Sequence, residues 1–398
     1  YNINPYGISY EYGAGGNAVG NVTALSDIVS DVKMNISGTF DVIPESILKA
    51  SSVEMDASSS TDNVIGPYTF NNDIIYTFKY NTTGTYNDGA NTSYELTFLK
   101  ETVCDILVVG GGGGGGVWGG GGGGGGVLFA EKLKLSGNNI IKVGKGGIGE
   151  SGIGTANGEN GKPSLIEING IEYTAIGGGG GGTRILENNW ESSGFNRWVG
   201  LGGSDGGSGG GGAQADVSTD RNVGGDSIIE QYTGWNSYGN RGGSGADATS
   251  ESKHTWKAAG GGGGAGGIGS SIIISEEYSV GHGGKGKSFV EYFGTNVGDN
   301  GYFAGGGGGG SYGYTPFGNG GAELYGGGGK GNYTATSPGT GAPTTATNAT
   351  TGSSNTGGGG GGTSIETTGA SGGSGIVIIR FSLYDTTPLY PNYSLYTV

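Results

Sequence analysis

The chain has 398 residues, of which 100 are glycine and only 13% are charged, and its formal net charge is −15. Hydrophobic residues make up 33%, which excludes one ordinary apolar core spanning the whole chain. The acidic balance without a Lys/Arg cluster excludes nucleic acid as a partner, and no apolar stretch is long enough for membrane insertion.

The composition also argues against a disordered chain. Its 23 Tyr, 5 Trp and 11 Phe lie between the glycine runs, whereas flexible glycine-rich linkers have few aromatic residues. The single cysteine, Cys104, permits no intrachain disulfide, and its apolar neighbours predict a buried thiol. Because the first residue is Tyr1 rather than Met, we expect a leader or a longer N-terminal part before it.

Residues 1–67 have an ordinary composition and are predicted to form an N-terminal β region or assembly arm. From residue 68 onward, Tyr68–Phe70, Ile74–Tyr80 and Tyr94–Phe98 predict strands of an antiparallel β module. The alternation within Ile74–Tyr80 predicts that one face of this strand is buried.

A glycine-rich domain is predicted over residues 68–381, and a Tyr-rich tail follows at 382–398. Asn169-Gly170 predicts a hairpin turn between two of its strands. Further strand-like segments are Val127–Leu135, Asn139–Val143, Ser164–Ile168, Ile171–Ile176 and Ile376–Phe381. Glycine runs lie at 110–116, 119–126, 177–182, 209–212, 260–264, 305–310, 326–329 and 357–362, with looser runs at 144–154, 202–207, 281–286 and 369–375.

Such runs make poor α-helices and strands, because each glycine loses maximal backbone entropy and packs no side chain. They can adopt polyglycine II, an extended helix with three residues per turn and no internal hydrogen bonds. Ordering costs about 1–2 kcal/mol per residue and a hydrogen bond returns about 0.5–1.5 kcal/mol, so only an array of many bonded runs is stable. The sequence therefore predicts an all-β plus polyglycine II fold with almost no α-helix: an N-terminal antiparallel β module, then a polyglycine II bundle flanked by short strands.

The stretch CDILVVGGGGGGG, which begins at Cys104, raises an alternative, because a strand followed by glycines also begins a dinucleotide-binding site. That fingerprint needs a helix at its third glycine, but here the glycines continue, interrupted only by Val117-Trp118. We therefore expect no cofactor. His254 and His282 lie in polar loops without partner spacing, and one cysteine with two distant histidines predicts no metal site and no enzyme.

Several motifs, in this order, carry a family resemblance: IYTFKY at Ile75–Tyr80, CDILVVGGGGGGG, IIKVGKGG from Ile140, NGKPSL from Asn160, AIGGGGGG from Ala175 and GGSGIVIIRF ending at Phe381. This pattern resembles the glycine-rich domain family over residues 68–381. The family occurs in phage tail-fibre adhesins and in surface or fibre-type proteins of giant viruses and some microbial eukaryotes. The resemblance implies polyglycine II helices flanked by β-strands and an attachment or structural role.

Aromatic inserts between the runs are the candidate ligand-binding loops. Exposed aromatic rings beside polar groups are typical of surfaces that bind glycans or proteins, although the same rings could instead cover the open edges of the bundle. The candidates are Trp190, Phe195, Arg197, Trp198, Trp235, Tyr238, Trp256, Tyr312 and Tyr314.

The expected location is extracellular or on a virion surface. The Tyr-rich termini, residues 1–10 and 388–396, predict self-association into an oligomer or filament. Three functions stay open: a non-enzymatic structural subunit of a surface fibre or coat, an adhesin that binds glycans or surface proteins, and, less favoured, an ice-binding protein. Candidate N-glycosylation sites are Asn21, Asn35, Asn81, Asn91, Asn332, Asn348 and Asn392.

Overall fold

The structure is a computed structural model with two compact units, Tyr1–Ile47 and Leu48–Val398. In the first unit, strands β1 (Asn2–Ile3) and β2 (Ser9–Tyr10) pair antiparallel. The structure describes residues 2–3, 9–10, 64–71, 73–82, 89–152, 156–187, 197–215, 222–246, 256–273, 280–313, 325–336, 343–364 and 368–382.

The second unit contains short strands and one described helix, α1 (Val290–Phe293). Only two strands are long, and both belong to the main sheet. The strands are β3 (Val64–Phe70), β4 (Asp73–Lys79), β5 (Asn91–Val109), β6 (Val127–Gly144), β7 (Ser164–Ile168), β8 (Ile171–Ala175), β9 (Arg184–Glu187), β10 (Arg197–Gly200), β11 (Asn236–Tyr238), β12 (Trp256–Ala258), β13 (Lys287–Ser288), β14 (Tyr302–Phe303), β15 (Ser311–Gly313), β16 (Tyr333–Thr336), β17 (Pro343–Ala346) and β18 (Ile376–Ser382).

An antiparallel sheet with the order β3-β4-β18-β5-β6-β7-β8 forms one end of this unit, and β11 pairs with β6. The last strand, β18, lies between β4 and β5, so that Ile378 pairs with Thr77 on one side and Leu107 on the other. The predicted antiparallel module is thus confirmed, and the last described strand closes it. The hairpin turn is confirmed too, since Asn169 and Gly170 have φ values of 52° and 78°.

The strand β5 bends over the sheet. Its register shifts between Phe98 and Thr102, and the ring of Phe98 then lies 6.1 Å from that of Phe381, although Phe381 pairs with Cys104. Tyr94 similarly contacts Phe78 at 5.4 Å. A β-bulge explains how one strand contributes to both the sheet and the layer that covers it.

The opposite face of the sheet packs on the segment around α1. Ile75, Leu107 and Ile378 form a buried cluster with Phe289 and Phe293. Strand β4 is therefore buried on both faces, and the expectation of one buried face was wrong. The reason is that the α1 segment and the bent half of β5 cover the two sides.

The remaining chain forms extended segments, here called rods, that lie side by side. Their backbone hydrogen bonds run between rods and define a hexagonal bundle of five layers. From one side to the other the layers are 222–226, 240–246 and 268–273; 201–206, 207–213, 259–264 and 281–286; 177–182, 119–126 and 304–310; 157–162, 110–116, 357–363 and 326–332; and 145–150, 369–375 and 350–353.

The rod 110–116 shows the bonding pattern. Its amides donate in rotation to three rods, as when Gly113 donates to Gly123, Gly114 to Glu159 and Gly115 to Ala370. Its carbonyls accept from three other rods in the same rotation. A partner that recurs every third residue is the pattern expected for polyglycine II, and neither Gly115 nor its neighbours begin a helix.

Burial explains the composition of this rod. A Cβ atom on any glycine from Gly110 to Gly116 would overlap a carbonyl of a neighbouring rod. Glycine therefore fills the middle of a rod that is surrounded on every side, and the buried exceptions, such as Ser208 and Ala213 in rod 207–213, lie near rod ends. Rods at the rim contain side chains on their outer positions, and there glycine recurs at every third residue, as at Gly158 and Gly161 in rod 157–162.

Neighbouring rods such as 110–116 and 119–126 are antiparallel, since Gly110 bonds to Gly126 and Gly116 to Gly120. The bundle therefore has two ends. At the sheet end the rods join β5, β6, β7, β8 and β18, and at the loop end they join the turn Val117-Trp118 and strands β9, β10, β12, β15 and β16. Residues 11–63 and 383–398 lie outside the described residues, so the predicted arm, most of region 1–67 and the Tyr-rich tail stay predictions.

Candidate functional site

The loop end begins at the turn between the first two glycine rods. Val117 is fully buried, and its amide donates to the hydroxyl of Thr183 at 3.2 Å. The carbonyl of Val117 accepts from the amide of Arg184 at 3.1 Å. Trp118 takes a positive φ of 47°, which turns the chain back and leaves the indole half-buried at the bundle end.

A buried guanidinium organises the aromatic rings there. Arg184 is 5% exposed, and its Cζ lies 5.6 Å from the ring centroid of Trp118 and 5.0 Å from that of Trp198. The pairing of β9 with β10 positions these groups, with Gly200 opposite Arg184 and Trp198 opposite Leu186. A cation between two indole faces is held by their quadrupoles, and it fixes both rings in place.

Tyr312 extends this cluster. Its ring lies 5.7 Å from that of Trp118. It stands on β15, which pairs antiparallel with β12 and parallel with β16, so a small sheet fixes its position. Trp118, Arg184, Trp198 and Tyr312 form what we call the aromatic cluster, and its three rings are all half-buried. The arrangement can stack on a flat apolar or sugar surface.

The structure separates the predicted binding residues between the two ends. Trp198 and Tyr312 lie together at the loop end, whereas Trp235 and Tyr238 lie at the sheet end. Arg197 and Trp256 belong to β10 and β12 at the loop end, and their side chains lie outside the described part of the chain. Trp190, Phe195 and Tyr314 also lie outside the described residues.

At the sheet end the two aromatic residues pack inward. Trp235 is 6% exposed and stacks on Tyr173 at 4.9 Å, and Tyr238 on β11 lies 6.0 Å from Phe289. Burial raises the pKa of Tyr238, and the negative charge of Glu131 raises it further by a smaller amount. Both residues therefore cover the side of the sheet, as in the alternative in which the inserts cap the bundle.

Sequence reasoning did not place Trp118 or Arg184 among the candidate binding residues. The signal for Trp118 was present, since it interrupts two all-glycine rods that are otherwise buried. Arg184 left no such signal, because its place between the indoles depends on the pairing of β9 with β10. Only the folded register brings residues 118, 184, 198 and 312 together.

The described sequons differ in exposure. Asn348 is exposed, while Asn332 is 1% exposed and donates from Nδ2 to the carbonyl of Thr347 at 2.6 Å. Asn81 and Asn91 are half-buried. Asn21, Asn35 and Asn392 lie outside the described residues.

The glycines after Cys104 have no free amides for a phosphate. Each amide from Gly110 to Gly116 donates to a protein carbonyl, so this stretch lacks the free amides that the dinucleotide alternative requires. Cys104 itself is 1% exposed, as predicted, and burial raises the pKa of its thiol.

The part of the chain that the structure describes contains no cluster of His, Cys, Asp and Glu that could hold a metal ion. The helix within those same ranges is too short to cross a bilayer.

Comparison with known proteins identifies a family over most of the chain. No curated protein sequence matches the chain. The model of the glycine-rich domain matches residues 88–382, which include every rod, the aromatic cluster and the closing strand β18. The chain therefore belongs to the glycine-rich domain family.

Proposed function

We propose that this chain is a non-enzymatic structural subunit of an extracellular or virion-surface fibre or coat. The observation that carries the proposal is the internal bonding of the rod bundle, in which central rods donate to three neighbours and accept from three. A network of backbone hydrogen bonds in three directions resists bending and local opening, which is what a load-bearing surface subunit needs.

The charge supports the same function. A net charge of −15 keeps a chain with few charged groups in solution before it assembles. Self-association through the Tyr-rich termini belongs to this proposal. Immunogold electron microscopy tests it: antibodies against the recombinant chain should label a surface layer or fibre on source particles or cells. Labelling confined to the cell interior would overturn it.

An adhesin is the second candidate, and the aromatic cluster favours it. The buried guanidinium of Arg184 holds two half-buried indoles, and Tyr312 packs on one of them, so the three rings form a preorganised surface at the loop end. Binding of the recombinant chain to a glycan array, reduced at least tenfold in Trp198→Ala, would support recognition of a glycan. Trp235→Phe is the matched control, because Trp235 lies at the opposite end. Equal binding by both variants would exclude the loop end.

A further inference from the structure

The rod bundle has two flat faces on opposite sides. The first layer, rods 222–226, 240–246 and 268–273, forms one of them, which we call the aspartate face. The last layer, rods 145–150, 369–375 and 350–353, forms the other, which we call the lysine face. Three layers of rods separate them, so the two faces are parallel and point in opposite directions.

The aspartate face contains apolar side chains and an acidic border. Val223 is 48% exposed and Ile268 is 65% exposed, although both belong to glycine-rich segments. Asp226 and Asp205 lie side by side at the border, since the amide of Asp226 donates to the carboxylate of Asp205 at 2.7 Å. Neither carboxylate forms an ion pair with another described residue.

The lysine face also combines an apolar side chain with a charged border, which has two lysines at one level and Glu159 one turn further along. Ile148 is 47% exposed on its outer side. Lys145 and Lys162 lie on adjacent rods at its border, joined by the hydrogen bond from the Lys162 amide to the Lys145 carbonyl. Neither ammonium group forms an ion pair within the described ranges.

The two borders lie opposite one another across the bundle. Rod 222–226, with Asp226, occupies the same place in the first layer as rod 145–150, with Lys145, occupies in the last. Followed across the bundle, the hydrogen bonds place Gly225 level with Ile148 and therefore Asp226 level with Gly147, two residues from Lys145. A copy displaced by two residues along the rods, roughly 6 Å, would set the acidic pair against the lysine pair.

We propose that the aspartate face of one chain docks on the lysine face of a second copy. The contact is heterologous, and because the faces are parallel and opposite, its repetition does not close. It produces an open row of subunits, as a fibre or coat requires. This inference rests on the proposed structural function and adds a second contact to the self-association through the Tyr-rich termini. The faces are small, so association should depend strongly on concentration.

A charge exchange tests the contact. Asp226→Arg makes the aspartate border positive, and Lys145→Glu makes the lysine border negative, so each variant alone should lose the contact between faces and sediment as a smaller species than the wild type. An equal mixture should regain linear oligomers. The positive border of Asp226→Arg can then meet the negative border of Lys145→Glu, and the unchanged faces of the two variants can also meet. Glu172→Arg, at an exposed position on β8, controls for the change in net charge and should associate like the wild type.

Sedimentation velocity over a concentration series, with negative-stain electron microscopy, measures the outcome, and thermal unfolding confirms that each variant is folded. If the wild type associates and both single variants associate equally well, the two faces are not the contact, while the structural function stands. The same conclusion follows if the mixture sediments like the single variants. If the wild type is monomeric at every concentration, the proposed structural function falls together with the inference.

Discussion

The amide of Gly113 donates to the carbonyl of Gly123 at 2.9 Å, but the amide of Gly123 donates to Gly179 instead of returning to Gly113. In an antiparallel β pair, two such residues would exchange both bonds. The one-way bond is what allows each rod to bind neighbours on all sides. It also makes every central glycine a point of close backbone approach.

Gly122→Ala should therefore destabilise the protein severely. A Cβ at Gly122 would overlap the carbonyl of Gly113, and neither backbone can move without breaking bonds to further rods. We expect a loss of about 3 kcal/mol in the free energy of unfolding, measured by denaturant titration. Gly267→Ala is the matched control, since its Cβ would meet nothing closer than 3.6 Å. Equal losses in the two variants would contradict close packing as the cause.

At one edge of rod 177–182, asparagine side chains form the hydrogen bonds that a further rod would otherwise form. The Oδ1 atom of Asn160 accepts from the amide of Gly180 at 2.8 Å, and its Nδ2 donates to the carbonyl of Asp205 at 3.0 Å. Three residues earlier, Asn157 accepts from the amide of Thr183 and donates to the carbonyl of Gly202. This spacing of three matches one turn of the rod that the two side chains cover.

Asn160→Ala should cost about 1–3 kcal/mol in the free energy of unfolding, because it leaves the buried amide of Gly180 without an acceptor. Asn348→Ala serves as the control, since Asn348 is exposed. Hydrogen exchange of the Gly180 amide should accelerate in Asn160→Ala only. Unchanged protection of that amide would show that the side-chain bond is dispensable.

The sequence predicted the central rods and some rods at the rim, such as 281–286 and 369–375, but missed others at the rim. Rods 110–116 and 119–126 are unbroken glycine and were evident, whereas rods 157–162 and 222–226 contain side chains on their outer positions. In rod 157–162 the signal is glycine at every third residue, a period that runs of glycine do not show, and rod 222–226 has only the adjacent pair Gly224-Gly225. Trp198 and Tyr312 were named as candidates, but Arg184 could not be, because strand register brings it between the indoles.

The ion pair of Arg380 with Asp105 should contribute more to the free energy of unfolding than an exposed ion pair does. Arg380 Nη2 lies 2.7 Å from Asp105 Oδ2, its Nε lies 3.3 Å from Asp73, and Nη1 donates to the carbonyl of Tyr292. Arg380→Leu leaves two sheltered carboxylates unpaired, so we expect a loss of about 3–5 kcal/mol by denaturant titration. Lys134→Ala breaks the exposed pair with Glu101 and should change the free energy of unfolding much less. A loss for Arg380→Leu no larger than for Lys134→Ala would contradict this ranking.

Alkaline pH should unfold the sheet end. Burial raises the pKa of Tyr76 to about 12 and also raises that of Tyr94, where the ordinary value is about 10. The folded state thus favours the protonated phenols. Their contribution to stability is complete below pH about 10, and it is lost as the pH rises through the pKa values of the folded state. Tyr76→Phe should shift the alkaline unfolding midpoint upward, monitored by tyrosinate absorbance and circular dichroism. A midpoint that moves downward or stays fixed would contradict the linkage.

Glycosylation should distinguish two sequons that look equivalent in the sequence. Asn348 is exposed, so a glycan on its Nδ2 displaces no described contact. At Asn332 the side chain is 1% exposed, Nδ2 donates to Thr347, and Oδ1 accepts from the amide of Ser364 at 2.8 Å. A glycan there would break the link between two rods and cannot be accommodated in the folded chain.

After secretion from a eukaryotic cell, glycopeptide mass spectrometry of the folded protein should therefore find glycan at Asn348 and none at Asn332. Asn348→Gln should remove the glycan without changing the unfolding midpoint. Asn332→Gln should lower that midpoint, because a longer amide cannot hold both partners. Full occupancy of Asn332 in folded, secreted protein would contradict the placement of that residue between the rods.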